Sequence, residues 1–350
     1  MSRQLSFAEA LLEAQDRCLA THPEAFLMGL GVPDPKGIFG TTIGLQQKYG
    51  AARVFDIPLS ENAITGVALG AAITGMRPIL THQRVDFALL AMEQLVNQAA
   101  KWHYMFGGTM RAPMVVRMII GRGWGQGPQH SQSLQAWFAH IPGLKVVMPT
   151  TARDAKGLLI ASVEDDNPVV FLEHRWLYAI RDDVPSEDYR TPLGSARIMR
   201  KGTDVTVVGV SYMALEALRA ADKLAADGVS AEVIDLRSIQ PWDTETILGS
   251  VEKTGRLVIA DTGWHSFGVA AEIVSTVVEE RFDRLKAAPR RVASPDCPSP
   301  TSPALAAHFF PRADDVCQAI LKVMGRKSSA KGAPSFKGLD VPDKSFTGPF

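Results

Sequence analysis

The chain has 350 residues, with 37 lysines and arginines against 37 aspartates and glutamates, so its formal net charge is zero at pH 7. This balance gives no electrostatic basis for binding nucleic acid or a membrane surface, and 46% hydrophobic residues are too many for a disordered chain. The three cysteines fit neither a disulfide framework nor a zinc cluster, and since no apolar stretch is long enough to span a bilayer, we expect a cytoplasmic protein.

Apolar runs alternate with helical patterns in the first half of the chain. Ser6 is a plausible N-cap for the first helix, because apolar residues follow it at near-helical spacing. Continuous valine and isoleucine runs between the helices indicate a parallel sheet covered on both faces. Helices are predicted over 6–20, 61–75, 86–104, from about 131 and over 152–164, and strands over 25–29, 78–81, 113–120, 145–148 and 168–172.

A polar, proline-containing stretch around 182–192 predicts a domain boundary, and a second α/β unit follows it. The predicted domains are therefore 1–188 and 189–326, each a three-layer α/β/α domain with a mostly parallel sheet. The last residues, 327–350, are rich in Lys, Ser, Gly and Pro, and we expect an extended or disordered tail. In the second unit, strands are predicted over 205–210, 231–235 and 256–260, and helices over 214–227, 244–254, 269–281 and 310–325.

The glycine-rich stretch 121–127 (GRGWGQG) does not match a dinucleotide fingerprint, and the chain contains no phosphate-binding loop of the Walker type. The glycine-rich stretch is typical either of a flexible surface loop or of a mobile loop beside a functional site. An α/β protein without a phosphate motif of its own is either not a nucleotide enzyme or holds half of a site.

Several stretches, in order along the chain, strongly resemble the β subunits of the thiamine-diphosphate-dependent 2-oxoacid dehydrogenases. The family comprises the pyruvate, branched-chain and acetoin dehydrogenase first components. The resemblance covers residues 5 to 325. The stretches that carry it are 55–61 (FDIPLSE), 104–108 (YMFGG), 129–133 (QHSQS), 142–147 (PGLKVV), 166–170 (DNPVV) and 172–174 (LEH).

The resemblance implies a pyrimidine-binding domain followed by a transketolase C-terminal domain, in an α2β2 heterotetramer. In the family, the α subunit carries a Gly-Asp-Gly motif that holds Mg²⁺ and the diphosphate. This chain has no Gly-Asp-Gly. The resemblance therefore implies that it supplies the aminopyrimidine half of an interface site.

Glu61 matches the family's catalytic carboxylate. A carboxyl group against the pyrimidine N1′ favours the imino tautomer, whose own amino nitrogen can then remove the C2 proton of the thiazolium ring. The alternative is an ordinary first-turn glutamate favoured by the helix dipole.

His130 matches the family's substrate-facing histidine, since an imidazole titrating near neutral pH suits proton transfer to and from a 2-oxo group. The alternative is a solvated or helix-capping histidine. Phe87 matches an aromatic that stacks on the pyrimidine, or else is one more core aromatic. Leu59 and Gln83 match pyrimidine-contact positions.

A loop that binds a structural K⁺ in the family is also matched. The alternative is an Asp/Asn turn before a strand. The matching positions, which in the family bind through backbone carbonyls and an aspartate, are Ser162, Val163, Asp165 and Asn167.

Two residues depart from the family beside the matched cofactor contacts. His82 and Arg84 stand where apolar residues are usual, on either side of Gln83. Alternation along a strand would point both to one face and Gln83 to the other. Either they add positive charge to the substrate channel and favour a substrate with a second anionic group, or Arg84 pairs with an acid of this chain or of the α subunit.

These features together predict the β subunit of an enzyme that decarboxylates a 2-oxo acid and passes the acyl unit on, with a lipoyl acyltransferase as a candidate partner. One alternative is a split transketolase-like or biosynthetic enzyme that transfers an acyl or ketol group without a lipoyl acceptor. Another is a non-catalytic scaffold subunit, which would need neither Glu61 nor His130.

Overall fold

The computed structural model describes residues 2–122 and 125–326. The tail prediction for 327–350 lies outside the described residues. Within those two ranges, every helix is too short or too polar to cross a membrane. The chain folds into two compact units.

The first unit contains the chain up to Gly121 together with Trp137–Leu193. The strands over the first 193 residues are β1 (Ser2–Ser6), β2 (Ala25–Gly29), β3 (Val54–Phe55), β4 (Arg77–His82), β5 (Val115–Ile120), β6 (Lys145–Val147), β7 (Val169–His174) and β8 (Arg181–Pro185). The helices over the same residues are α1 (Phe7–Thr21), α2 (Leu45–Tyr49), α3 (Glu61–Ile73), α4 (Val85–Ala88), α5 (Ala100–Met105), α6 (Gln135–Ala139) and α7 (Ala152–Glu164).

Six strands of this unit lie side by side, all parallel, in the order β6-β7-β5-β4-β2-β3. β2, β5 and β7 are buried at every position, as the continuous apolar runs predict. The carboxyl ends of parallel strands meet at one edge of a sheet, and this edge positions the candidate site.

The first helix begins where the sequence predicts. The Ser6 hydroxyl accepts a hydrogen bond from the Glu9 N–H at 3.2 Å, and the Glu9 carboxylate accepts one from the Ser6 N–H at 2.7 Å. This reciprocal capping box satisfies two amide donors at the start of α1.

Of the described residues, the second unit contains Arg122, 125–136 and 194–326. Its sheet has the order β14-β13-β10-β11-β9, parallel except for β9. The predicted α/β class, with mostly parallel sheets in both units, is confirmed. Beyond residue 193 the strands are β9 (Arg197–Arg200), β10 (Val205–Gly209), β11 (Ala231–Asp235), β12 (Ser238–Gln240), β13 (Leu257–Trp264) and β14 (Arg290–Ser294). The helices are α8 (Tyr212–Ala225), α9 (Thr244–Thr254), α10 (Val269–Arg281), α11 (Pro303–Phe309) and α12 (Ala313–Val323).

Three of the predicted helices differ from the prediction. The helix expected from about 131 begins at Gln135, because a short 3-10 turn, Pro128–His130, and an irregular stretch precede it. The helix expected over 86–104 is a continuous helical run over 85–105 that includes a π-helical segment, Gln94–Ala99. The last helix, expected over 310–325, is the shorter α12, and a separate helix that was not predicted, α11, ends before residue 310.

Candidate active site

The matched cofactor contacts of the first unit lie just past the carboxyl ends of two strands. Leu59 and Glu61 follow β3, and Gln83 and Phe87 follow β4, with β2 between these two strands. The fold therefore brings all four to one edge of the parallel sheet, where α/β proteins bind their ligands.

Hydrogen bonds tie the loops at this edge to one another. The Asp56 carboxylate accepts from the backbone N–H of Gly31 at 2.9 Å and of Ile57 at 2.8 Å. The Gln83 amide donates to the carbonyl of Leu30 at 3.0 Å. Sequence reasoning did not assign a role to Asp56, although an acid directly after a buried strand is a signal that could have identified it.

Glu61 is the first residue of α3, and its side chain is partly buried. The Thr65 hydroxyl donates to the Glu61 carbonyl at 2.8 Å. Because this bond uses the only hydroxyl hydrogen, the contact of 3.1 Å between Thr65 Oγ1 and His82 Nε2 places the proton on His82 Nε2. His82 thus supports the turn that carries the Glu61 carboxyl.

The His82 imidazole is buried, with 4% of its surface exposed. Desolvation lowers its pKa to about 4, so the ring is neutral at physiological pH. A neutral, buried imidazole does not add positive charge to a substrate channel, and the geometry does not favour that part of the substrate hypothesis.

The burial of His82 predicts a pH dependence of stability. Its pKa is lower in the folded chain than the ordinary 6.5, so between pH 6.5 and about 4 the unfolded chain binds more protons. The free energy of unfolding is therefore highest, as far as His82 is concerned, above pH 6.5, and it falls by about 3 kcal/mol as the pH falls to about 4. His82→Gln keeps an N–H donor for Thr65 but cannot be protonated. In denaturant titrations, we expect its free energy of unfolding to fall less over this pH range than that of the wild type. Equal pH dependence in the two proteins would contradict the assignment.

Arg84 is also buried, and its Nη1 donates to the carbonyl of Gly121 at 2.7 Å. Burial lowers the pKa of this guanidinium, whereas the charge of Asp86 raises it. Gly121 has a φ of +75°, and a Cβ there would lie 2.5 Å from Nε2 of His174, so only glycine fits. Arg84 therefore holds the backbone just after β5 through a bond to a carbonyl. Its predicted contact with the substrate and its predicted pairing with an acid both stay predictions.

Two apolar side chains at the site edge are accessible. Leu59 is 74% exposed and Phe87 is 40% exposed. An exposed aromatic on the same sheet edge as a partly buried carboxyl fits a flat heteroaromatic ring such as an aminopyrimidine, which offers a face for stacking and a ring nitrogen for hydrogen bonding.

His130 ends the short 3-10 turn after Gly127, and it belongs to the second compact unit, whereas Glu61 belongs to the first. Its backbone N–H donates to the Gly127 carbonyl at 3.1 Å, and the neighbouring Ser131 hydroxyl donates to the Gln126 carbonyl at 3.2 Å. The turn is thus ordered by its own backbone, with the imidazole partly exposed.

The predicted potassium loop is already supplied with positive charge. Arg77 Nη1 donates to the carbonyls of Val163 at 2.9 Å and Asp165 at 3.0 Å. The Asp165 carboxylate pairs with Lys145 and accepts from Asn167, while the Ser162 hydroxyl donates to the Leu158 carbonyl within α7. These contacts engage the carbonyls of Val163 and Asp165 and the Asp165 carboxylate, which are some of the oxygens on which the potassium prediction depends. The assignment stays a prediction.

A resident metal is not indicated elsewhere either. In the part of the chain that the structure describes, no group of three or more His, Cys, Asp or Glu side chains could hold a metal ion.

Comparison with known proteins identifies both domains. Residues 3–181 match the family model for the transketolase pyrimidine-binding domain, and residues 194–316 match that for the transketolase C-terminal domain. The first match ends at residue 181 and the second begins at residue 194, so the boundary expected at 188/189 stays a prediction.

Curated relatives are similar over nearly the whole chain. The chain is 42% identical to the β subunit of acetoin:2,6-dichlorophenolindophenol oxidoreductase of Cupriavidus necator, over 93% of this chain and 98% of the relative. It is also 42% identical to the pyruvate dehydrogenase E1 component subunit β of Rickettsia felis, over 91% of this chain and 98% of that protein. A solved split-gene transketolase, described as an inactive β4 tetramer, shares the fold with a TM-score of 0.77 at 23% identity, over 93% of this chain and 100% of that one.

Proposed function

Because the chain belongs to the β subunits of the thiamine-dependent 2-oxoacid dehydrogenases, we propose that its Glu61 edge holds the aminopyrimidine of thiamine diphosphate while an α subunit holds the diphosphate and Mg²⁺. One observation carries this proposal. A partly buried carboxyl at a helix start lies on the same sheet edge as an exposed aromatic, in a chain with no phosphate-binding motif of its own.

Each residue at the edge has a role in this proposal. The Glu61 carboxyl hydrogen-bonds the pyrimidine N1′ and sets its tautomer. Phe87 stacks on the ring, and Leu59 and Gln83 border it. The buried Thr65–His82 pair keeps the first turn of α3 in place, so that the carboxyl does not have to be ordered when the ring binds.

Thiamine diphosphate supplies a carbon nucleophile and an electron sink for the decarboxylation of a 2-oxo acid. The chain's own contribution at the substrate is His130, which exchanges a proton with the 2-oxo oxygen as general acid and base. The imidazole is partly exposed, as a group that must reach a small substrate requires.

Exposed apolar side chains of the first unit are candidates for a surface that binds the α subunit. Where such groups form one contiguous patch, they are typical of a surface that another subunit covers. The most exposed are Leu59, Val67, Leu90, Tyr104, Met105 and Trp137. We propose an α2β2 assembly, with a lipoyl acyltransferase as acceptor. A cytoplasmic location stays a prediction, since a relative from rice is named as a mitochondrial protein.

The half-site proposal predicts that the purified chain does not bind thiamine diphosphate tightly by itself. Calorimetric titration with the cofactor and Mg²⁺ is expected to show tight binding only after the α subunit is added, because the diphosphate and its metal dominate the affinity. Addition of the α subunit to this chain without the cofactor and Mg²⁺ is the control. Tight binding by this chain without a partner would overturn the half-site proposal.

The contact between Arg84 and Gly121 predicts how a substitution at Arg84 affects different substrates. Arg84→Met is expected to lower the melting temperature and to reduce turnover of apolar and anionic 2-oxo acids by the same factor, since it removes a buried hydrogen bond and no substrate contact. Arg84→Lys, which keeps a charge and a donor, is the matched control. A loss confined to anionic substrates would restore the substrate-contact hypothesis.

The alternative function, that of a split transketolase-like or biosynthetic enzyme without a lipoyl acceptor, is less favoured. The relatives that are 42% identical have names of the dehydrogenase and oxidoreductase type, whereas the likeness to the split transketolase, at 23% identity, concerns the fold. A scaffold role is disfavoured because Glu61 and His130 are both present.

A further inference from the structure

We call Arg122 together with residues 125–136 the His130 segment. It belongs to the second compact unit, which also contains residues 194–326. Two polar side chains near its two ends, Arg122 and Gln135, are buried and have no part in the proposed chemistry. What they contact determines how the segment is held.

Arg122 attaches the start of the segment to the loop before α11. Its guanidinium is fully buried, and it donates to the carbonyls of Pro300 at 3.3 Å and Thr301 at 3.0 Å. The guanidinium carbon also lies 5.7 Å from the centre of the Phe310 ring. A buried charge is tolerated only where such acceptors are fixed, so these contacts define one position for the backbone at Arg122.

Gln135 attaches the end of the segment to the carboxyl end of β13. Its amide nitrogen donates to the Asp261 carboxylate at 2.7 Å and to the Thr262 hydroxyl at 3.2 Å. Asp261 is fully buried and also accepts from the backbone N–H of Gly263 at 3.1 Å. The carboxyl group is therefore itself held in place, and losing a buried hydrogen bond to it would leave a buried polar group without its partner.

The middle of the segment also lies directly against this unit. A Cβ added at Gly127 would come 2.6 Å from the Thr301 hydroxyl, so the backbone at Gly127 approaches the same loop that binds Arg122. Gly127 accepts the hydrogen bond of the His130 N–H, which carries this fixed position on to the histidine turn.

We propose that the C-terminal unit positions His130 for proton transfer through Arg122 and the Gln135–Asp261 pair. Arg122 and Gln135 are positioning residues: they act through the backbone of the His130 segment and do not touch the substrate. The inference rests on the proposed function of His130. Its physical basis is that proton transfer requires approach within hydrogen-bond distance, and a displacement of about 1 Å costs up to about 100-fold in rate.

The test compares Gln135→Met and Arg122→Met with the wild type in the full chain assembled with its α subunit. In both variants we expect faster hydrogen exchange in peptides covering 125–136. We also expect kcat to fall about 10- to 100-fold, with KM and thiamine diphosphate affinity unchanged within about twofold. Arg122→Lys, which can still donate to both carbonyls, is expected to recover most of the kcat.

Two further variants separate positioning from general stability. Arg237 is a mostly buried arginine of the same unit that binds the carbonyls of Ser195 and Ala196, and Arg237→Met is expected to keep kcat. The double variant Gln135→Met with His130→Ala is expected to be no slower than His130→Ala alone, because Gln135 acts through His130.

Unchanged exchange over 125–136, or unchanged kcat in Gln135→Met while His130→Ala loses its kcat, would overturn the positioning inference. If His130→Ala itself keeps kcat, the failure belongs to the proposed function of His130, and the exchange data then report only how the segment is attached. Losses in the double variant that multiply would also overturn the inference.

Discussion

Replacing Glu61 by glutamine is expected to lower kcat by about 100- to 1,000-fold while the chain folds and assembles normally. The amide has nearly the same shape as the carboxyl, and the helix start is held by Thr65 and His82 rather than by the Glu61 side chain. What is lost is the acidic hydrogen-bond partner of the pyrimidine N1′. Steady-state kinetics of the enzyme assembled with its α subunit, with cofactor affinity measured in parallel, checks the prediction.

A matched control for this substitution is available in the second unit. Glu245 also lies in the first turn of a helix, α9, where a carboxylate interacts favourably with the helix dipole. Glu245→Gln is expected to keep kcat. Equal losses in both variants would show that the effect at Glu61 comes from the helix and not from the cofactor.

Replacing His130 by alanine is expected to lower kcat by about 10²- to 10⁴-fold, the range for a single acid–base group, with thiamine diphosphate binding nearly intact. The backbone of the turn is held by Gly127 and the buried ends of its segment, so loss of the imidazole removes a proton-transfer group and little structure. Pre-steady-state and steady-state kinetics of the assembled enzyme give the measurement.

His140 provides the control for His130→Ala. It is an exposed histidine just after α6, ten positions along the chain, and has no assigned role. His140→Ala is expected to retain the wild-type kcat. If His130→Ala keeps its kcat, or loses only cofactor binding, the proton-transfer role is wrong.

The helices with strong periodicity and local start signals could be predicted from the sequence. The helix over 152–164 begins and ends as predicted, because the Thr151 hydroxyl accepts from the Asp154 N–H and fixes its start. The antiparallel pairing of β1 with β8 was not predicted. Its partners are about 180 residues apart, and β8 lies in the polar stretch that the sequence favours as a boundary.

The candidate site shows the same difference between local and long-range information. Alternation predicts that His82 and Arg84 share a face opposite to Gln83, and the two are buried while Gln83 is exposed. Alternation does not say which face is the core. The contacts that bury them, to Thr65 and to the carbonyl of Gly121, come from elements that local sequence does not bring together.

The exchange rate of the cofactor C2 proton, measured by rapid quench and NMR in the assembled enzyme, tests the central claim most directly. The claim is that the Glu61 carboxyl activates the bound aminopyrimidine. Exchange is expected to be fast in the wild-type enzyme and slowed in Glu61→Gln by the same factor as kcat, with the Glu245→Gln control unchanged. Wild-type exchange in Glu61→Gln would contradict the account.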